Sequence, residues 1–292
     1  MRVGIGLKQL SYTPEAYAYS SYLKHKGVSV DLAPENDLDI NNDINIYFMG
    51  IRPFWQKSKS SAVEVHEYQS LSTGGCPTFK DFLKKTLNRQ PSGRIYLNSV
   101  VSERLGFSAD IPHIYRDMGV DRELFQRPDN SPEYDLVYCG SIDGRPGLVE
   151  ELSRLAKIGY KILVIGAVTT TILEVLKKNN NITMVGKVGR FELSSLYKKA
   201  KAGLNYTPNI YPFNLQTSTK TLEYLAAGLA VVSNKYEWSE NFSTRLGVEF
   251  YWLNEVDSVI DFKYAECNMQ EFSWEHVLDR SGLYSFLSEL KC

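Results

Sequence analysis

Two successive series of short apolar runs alternating with amphipathic stretches, separated by a segment rich in turn formers, constrain this chain more than anything else in it. The first series contains RVGIGL (2–7), PEAYAYSSYLKHKG (14–27), VSVDLA (28–33), INIYFMG (44–50), SAVEVHEY (61–68), FKDFLKKTLNRQ (79–90) and GRIYLNS (93–99). Apolar runs of strand length between stretches of helical period are the pattern of a parallel sheet covered by helices. Residues 118–135 carry two prolines and several turn formers and read as a linker. The series then restarts with YDLVYCGSI (134–142), GLVEELSRLAKIGY (147–160), KILVIGA (161–167), NITMVGKV (181–188), FELSSLYKKA (191–200) and AGLNYTP (202–208), and FSWEHVLDRSGLYSFLSEL (272–290) closes the chain as a helix. The expected fold class is α/β, with two Rossmann-like lobes whose parallel sheets face each other across a cleft.

Bulk properties narrow the functional classes. With 292 residues and 43% hydrophobic content the chain can bury two cores. A net charge of −1 supplies no global field toward nucleic acid, which makes such a partner unfavoured without excluding it. The cysteines at 76, 139, 267 and 292 show no metal-ligand or disulfide-framework spacing, so reduced thiols in a cytoplasmic protein are expected. A strand-like pattern begins at MRVGIGL, leaving no room for a signal core, and no apolar run approaches the roughly 18 residues of a membrane helix. A soluble protein, or one attached peripherally to the inner membrane face, is the expectation.

The segment TSTKTLEYLAAGLAVVSN (217–234) carries the most chemistry. Ser218 or Thr219 is a good N-cap, and Leu222, Leu225 and Ala226 fall on one buried stripe. Gly228 ends the helix before the strand LAVVS. Lys220 and Glu223 share the opposite side. Unpaired amides, the positive end of the helix and Lys220 suit a diphosphate, while a carboxylate one turn further in suits the ribose diol of the same nucleotide. A solvated ion pair is the alternative for these two side chains.

STKTLEYLAAGLAVVSN resembles the donor-binding segment of GT-B glycosyltransferases, in particular glycosyltransferase family 4, with its phrase K-x-x-E-Y-x-A-A-G-x-x-V-V. IYRDMGVDRELF (114–125) is similar to the segment at which that family leaves its first lobe, and DLVYCGSIDG (135–144) to the opening strand and glycine turn of its second. FSWEHV resembles its terminal helix, which crosses back to the first lobe. The resemblance implies an acceptor lobe over 1–126, a nucleotide-sugar donor lobe over 127–273 and a returning helix over 274–292. It implies that Glu223 binds the ribose, that Ser218, Thr219 and Lys220 hold the diphosphate, that Arg145 adds a phosphate contact, and that Val188 shapes the base pocket. It also implies that a turn at Gly4 and Gly6 approaches the phosphates. The implied reaction moves a sugar from a nucleotide-sugar donor to a glycan, glycolipid or lipid-linked acceptor, with retention as in that family, whereas an inverting course would need a carboxylate or histidine base. No DxD-type aspartate pair lies in a suitable loop, so no metal or other cofactor is expected. Lys220 would then stabilise charge on the leaving diphosphate.

The first glutamate of the family's paired-glutamate motif is Leu215 here, which leaves the donor sugar open. His66 sits near the end of its strand, facing the cleft, and is either a donor-side catalytic group or a structural histidine; Glu67 points the other way. Lys80, Lys84, Lys85 and Arg89 form a basic helix that is either a solvated face or a rest for anionic lipid headgroups. Tyr12, Tyr17, Tyr19 and Tyr22 cluster near the first helix, for sugar stacking or, more simply, packing. A sugar-nucleotide 2-epimerase and a noncatalytic nucleotide-sugar-binding subunit are the competing functions.

Overall fold

The computed structural model describes residues 1–8, 13–48, 51–56, 60–215 and 217–291. Tyr12 and Cys292 therefore lie outside the described residues. The chain divides into two compact units, Met1–Gly119 together with the segment from Phe272, and Val120–Glu271.

Unit 1 is built on six parallel strands, β1 (Arg2–Leu7), β2 (Ser29–Pro34), β3 (Ile44–Phe48), β4 (Val63–Tyr68), β5 (Gly93–Tyr96) and β6 (His113–Tyr115), in the order β2-β1-β3-β4-β5-β6. Helices α1 (Pro14–His25), α2 (Pro77–Leu87) and α3 (Ser99–Leu105) belong to it. Residues 93–99, expected as one strand, divide after Tyr96 because Asn98 turns extended and caps α3, its side chain accepting the Val101 N–H. Gly4 and Gly6 are not a turn. Both lie inside β1, and a Cβ at Gly4 would stand 2.1 Å from the Asn45 side chain, while one at Gly6 would stand 2.9 Å from Glu35 Cγ. The glycines make room for these neighbours.

Unit 2 repeats the plan with β7 (Tyr134–Cys139), β8 (Ile162–Ile165), β9 (Ile182–Gly186), β10 (Ala200–Asn205), β11 (Ala230–Ser233) and β12 (Tyr251–Trp252), all parallel, in the order β12-β11-β10-β7-β8-β9. Its helices are α4 (Leu148–Ile158), α5 (Thr170–Leu176), α6 (Arg190–Tyr197), α7 (Thr219–Ala226) and α8 (Glu237–Leu246). The stripe Leu148, Leu152, Leu155 and Ala156 on α4 is buried against Leu136, Tyr138, Ile162 and Val164 of the sheet, as an amphipathic helix on a parallel sheet requires.

The C-terminal stretch expected as one helix is two, α9 (Trp274–Arg280) and α10 (Leu283–Lys291), divided at Gly282, whose φ of +69° ends the first. Both pack in unit 1. A Cβ at Gly119 would stand 2.3 Å from the Trp274 ring, and Tyr22 donates its hydroxyl to Asp279 at 2.8 Å. Among the described residues, no helix is long and apolar enough to cross a membrane.

Candidate functional site

In an open parallel sheet, ligands bind beyond the carboxyl ends of the strands, where the strand order reverses. In unit 2 that point lies between β7 and β10, the neighbours from which the order runs out in both directions. Two segments meet there. One is the glycine turn that leaves β7, and the other is the start of α7, reached from β10.

Lys220 joins them. It lies in the first turn of α7 and its stem runs against Gly140, where a Cβ would stand 2.8 Å from Lys220 Cε. Its ammonium rests 5.6 Å from the centre of the Tyr138 ring. Gly140 has φ +131°, a conformation open to glycine, and the next turn along follows suit: a Cβ on Gly166 would strike the Gly140 carbonyl oxygen at 2.2 Å. Burial, and next the Arg145 guanidinium, push the Lys220 pKa down to about 8. Arg145 itself donates to the Tyr206 carbonyl at 3.4 Å and faces the Phe213 ring at 5.6 Å.

The helix start is held from below. The Ser218 hydroxyl accepts the Thr221 N–H at 3.3 Å and donates to Asn205 Oδ1 at 2.8 Å, and Asn205 in turn donates to Ser233 Oγ at 2.9 Å. Both Asn205 and Ser233 are fully buried. Ser218 is thus the N-cap and spends its hydroxyl within the protein; what it presents outward is the geometry of the amides that follow. Thr219 is half-buried at the first helical position, and Val188 is half-buried in the turn after β9.

Glu223 stands one turn further along α7 and accepts the Tyr197 hydroxyl at 2.9 Å. Tyr197 is fully buried on α6, and its pKa is driven well above the ordinary tyrosine range by burial and then by Glu223. Cys139 lies beside the pair, its thiol pushed up to about 11 by burial and then by Glu223, while its backbone N–H donates to Tyr224. Leu215 closes a short 3-10 turn, Phe213–Leu215, ahead of the helix. The structure therefore assembles Lys220, Arg145, Ser218, Thr219 and Glu223 at one end of α7. Tyr197, Tyr138 and Asn205 belong to the same assembly and are not singled out by sequence, since each is an ordinary residue of a predicted helix or strand whose partner comes from a distant element. A separate cavity of about 590 Å³, lined by Arg127, Leu225, Gly228, Cys267 and Met269 among others, lies at the opposite end of α7.

The remaining candidates are in unit 1. His66 is fully buried inside β4, two residues short of its end. Its Nε2 bonds Glu64 at 3.4 Å, and burial pushes its pKa down against the pull of that carboxylate. Burial opposes ionisation of Glu64, yet His66, Arg52 and Arg89 hold it down to about 2. Glu67, on the other face of β4, forms a fully buried ion pair with Arg116. Tyr19 is fully buried and Tyr22 is bonded to Asp279, so these two pack, while Tyr17 is exposed. Gly6 lies within β1, as described above.

No protein-family model matches the chain, and no curated protein matches it in sequence. Solved structures do. AviGT4, a glycosyltransferase involved in avilamycin A biosynthesis, superposes with a TM-score of 0.64 at 14% identity, over 99% of this chain and 98% of its own. The fold is GT-B. The DNA-modifying enzyme β-glucosyltransferase, whose substrate is uridine diphosphoglucose, matches with a TM-score of 0.53 at 14% identity, over 100% of this chain and 97% of its own. The UDP-GlcNAc 2-epimerase from Methanocaldococcus jannaschii matches with a TM-score of 0.54 at 11% identity, over 99% and 100%.

Proposed function

We propose that this GT-B chain is a glycosyltransferase of the family 4 type that takes a nucleoside-diphosphate sugar, of the UDP class, and transfers its sugar to a glycan, glycolipid or other hydroxyl-bearing acceptor. The observation that carries the reading is the seating of Lys220 on the Gly140 turn at the strand-order reversal of unit 2, with Glu223 one turn away. A pyrophosphate at the start of α7 meets the helix amides, the Lys220 ammonium and the Arg145 guanidinium. Glu223, oriented by Tyr197, accepts from the ribose diol. The UDP class is supported by the substrates that two of the similar folds name.

Catalysis in this reading is stabilisation of the departing diphosphate. Negative charge grows on the phosphate oxygen as the glycosidic C–O bond breaks, and the cations and amides are already in place to receive it. A retaining course, with the diphosphate oxygen taking the proton of the incoming hydroxyl, requires no protein base and needs no metal to neutralise the leaving group. Lys220 is the catalytic residue in this reading, and His66, fully buried and bonded to Glu64, takes the structural role.

The likeness to an epimerase supports a second reading in which the same site isomerises the nucleotide sugar. A thermal-shift screen of nucleotide sugars, followed by incubation with the best binder, separates the two. Slow release of free sugar and nucleoside diphosphate is the expected result. Conversion to an isomeric nucleotide sugar points to the epimerase, and binding without turnover to a noncatalytic subunit.

A further inference from the structure

Helix α2 turns its aromatic side chains outward, while its Leu83 and Leu87 are half-buried. Its one buried residue is Asp81, whose carboxylate accepts the Ser72 N–H at 3.1 Å and the Lys84 ammonium at 3.3 Å. Phe79 and Phe82, neighbours one turn apart, are each 58% exposed. A helix that contributed its aromatic side to the core would do the reverse. The segment after β3 is fastened to the far end of the same helix: the Phe54 N–H donates to the Leu87 carbonyl at 2.9 Å, and the Arg89 N–H donates to the Arg52 carbonyl at 2.9 Å. That segment presents Phe54 and Trp55, 62% and 61% exposed, with their rings edge to face at 4.9 Å.

The chain around these rings is rich in cations. From Thr73 to Gln90 the chain carries Lys80, Lys84, Lys85 and Arg89 against the single acid Asp81, which is turned inward. Arg52 and Arg89 are taken up by Glu64, at 3.3 and 2.7 Å, and Lys84 by Asp81. Lys80 donates to the Thr73 carbonyl at 2.9 Å, and Lys85 is exposed. Four outward aromatic side chains with lysines among them fit the boundary between headgroups and acyl chains, where rings partition and cations meet anionic lipid. With Arg52, Arg89 and Lys84 each paired to a carboxylate, little charge is left over for a phosphate backbone, and exposed rings of this size need some cover.

We infer that Phe54, Trp55, Phe79 and Phe82, with Lys80 and Lys85, form a docking face for the surface of an anionic phospholipid bilayer. The inference stands apart from the sugar-transfer reading, since it concerns unit 1 and is read without any donor or acceptor.

Flotation of the full chain with vesicles of phosphatidylcholine alone, or of phosphatidylcholine with phosphatidylglycerol, tests it. The chain is expected to float with the anionic vesicles and to be released by salt. The double variant Phe79→Ser/Phe82→Ser is expected to lower partitioning about tenfold or more, and Lys80→Glu/Lys85→Glu about fivefold or more per lysine. All four positions are exposed, so circular dichroism and melting temperature are expected to stay unchanged. Should a variant nevertheless misfold, quenching of the wild-type protein by brominated lipids, compared with Trp55→Phe, decides the matter: quenching that disappears with Trp55 supports the face, and quenching that persists unchanged overturns it. Failure to float with either vesicle overturns it, as does flotation indifferent to both double variants. A concentration-dependent dimer, or DNA retention, that is abolished by the same substitutions in place of vesicle binding also overturns it, by assigning the face to a second copy or to nucleic acid.

Discussion

Lys220 owes its position to Gly140: the space a Cβ would fill at residue 140 is occupied by Lys220 Cε, 2.8 Å from where that carbon would stand. Gly140 is also at φ +131°, so Gly140→Ala carries both a backbone penalty of about 1–3 kcal/mol and a collision. The collision falls on the flexible end of a lysine, which can swing away. The expected signature is therefore a modest fall in melting temperature together with a loss of nucleoside-diphosphate affinity larger than the stability loss. Denaturation and calorimetric titration of the same variant check it; an affinity that merely follows stability would mean that Lys220 is not held for the ligand.

Tyr197→Phe removes the hydroxyl that Glu223 accepts at 2.9 Å and leaves the ring's packing in place. The expected stability cost is about 1 kcal/mol. Affinity for a nucleoside diphosphate is expected to fall, while affinity for inorganic pyrophosphate, which has no ribose, stays near that of the wild type. Equal losses for both ligands would take Glu223 off the ribose.

The depressed Lys220 pKa gives the site a pH signature with two opposite signs. The folded protein holds this lysine at about 8, below the ordinary 10.5, because burial and Arg145 disfavour its charged form. Between those values the unfolded chain binds the extra proton, so the lysine's contribution to the stability of the free protein grows as pH rises through that window. Diphosphate affinity runs the other way, being greatest below about 8 and falling above it as the ammonium is lost. Titrations from about pH 7 to about pH 9.5, in two buffers of different ionisation enthalpy, are expected to show proton uptake on binding near pH 8. Lys220→Arg is expected to flatten the profile, and an unchanged profile would remove Lys220 from the site.

Unit 1 carries a purely structural counterpart. Arg116 and Glu67 are both fully buried, and the guanidinium bonds Glu67 Oε1 through Nε at 3.1 Å and also through Nη2. Arg116→Met leaves the carboxylate alone in the core and is expected to cost about 3–5 kcal/mol. Arg116→Met with Glu67→Gln is expected to recover a good part of it, as urea denaturation would show. A double variant no more stable than the single one would contradict a compensated pair.

Much of the fold was legible because parallel strands buried on both faces read as plain apolar runs, and Leu222, Leu225 and Ala226 mark the buried side of α7 unaided. Lys220 and Glu223 were legible for the same reason, being the polar residues left on that helix. Their setting was not. Tyr197 comes from α6 and Gly140 from the turn after β7, and no spacing in one segment reveals a partner in another. The Gly4 and Gly6 pair was misread as a turn because sequence shows a missing side chain without showing what fills the gap, here Asn45 and Glu35. The single C-terminal helix was misread because Gly282, tolerable inside a helical pattern, in fact ends one helix at positive φ. His66 looked accessible because alternation tells which face of a strand a residue takes but not whether that face is covered.

The central claim is that a nucleoside diphosphate seats at the start of α7 between Lys220 and Glu223. Calorimetric titration of UDP and of UDP-glucose into the wild type, Lys220→Ala and Glu223→Ala, each shown to be folded, tests it most directly. The account expects one-to-one binding by the wild type and a loss of about 1–3 kcal/mol in each variant. Affinities unaltered by both substitutions, or no heat with any nucleoside diphosphate or nucleotide sugar tried, would contradict it.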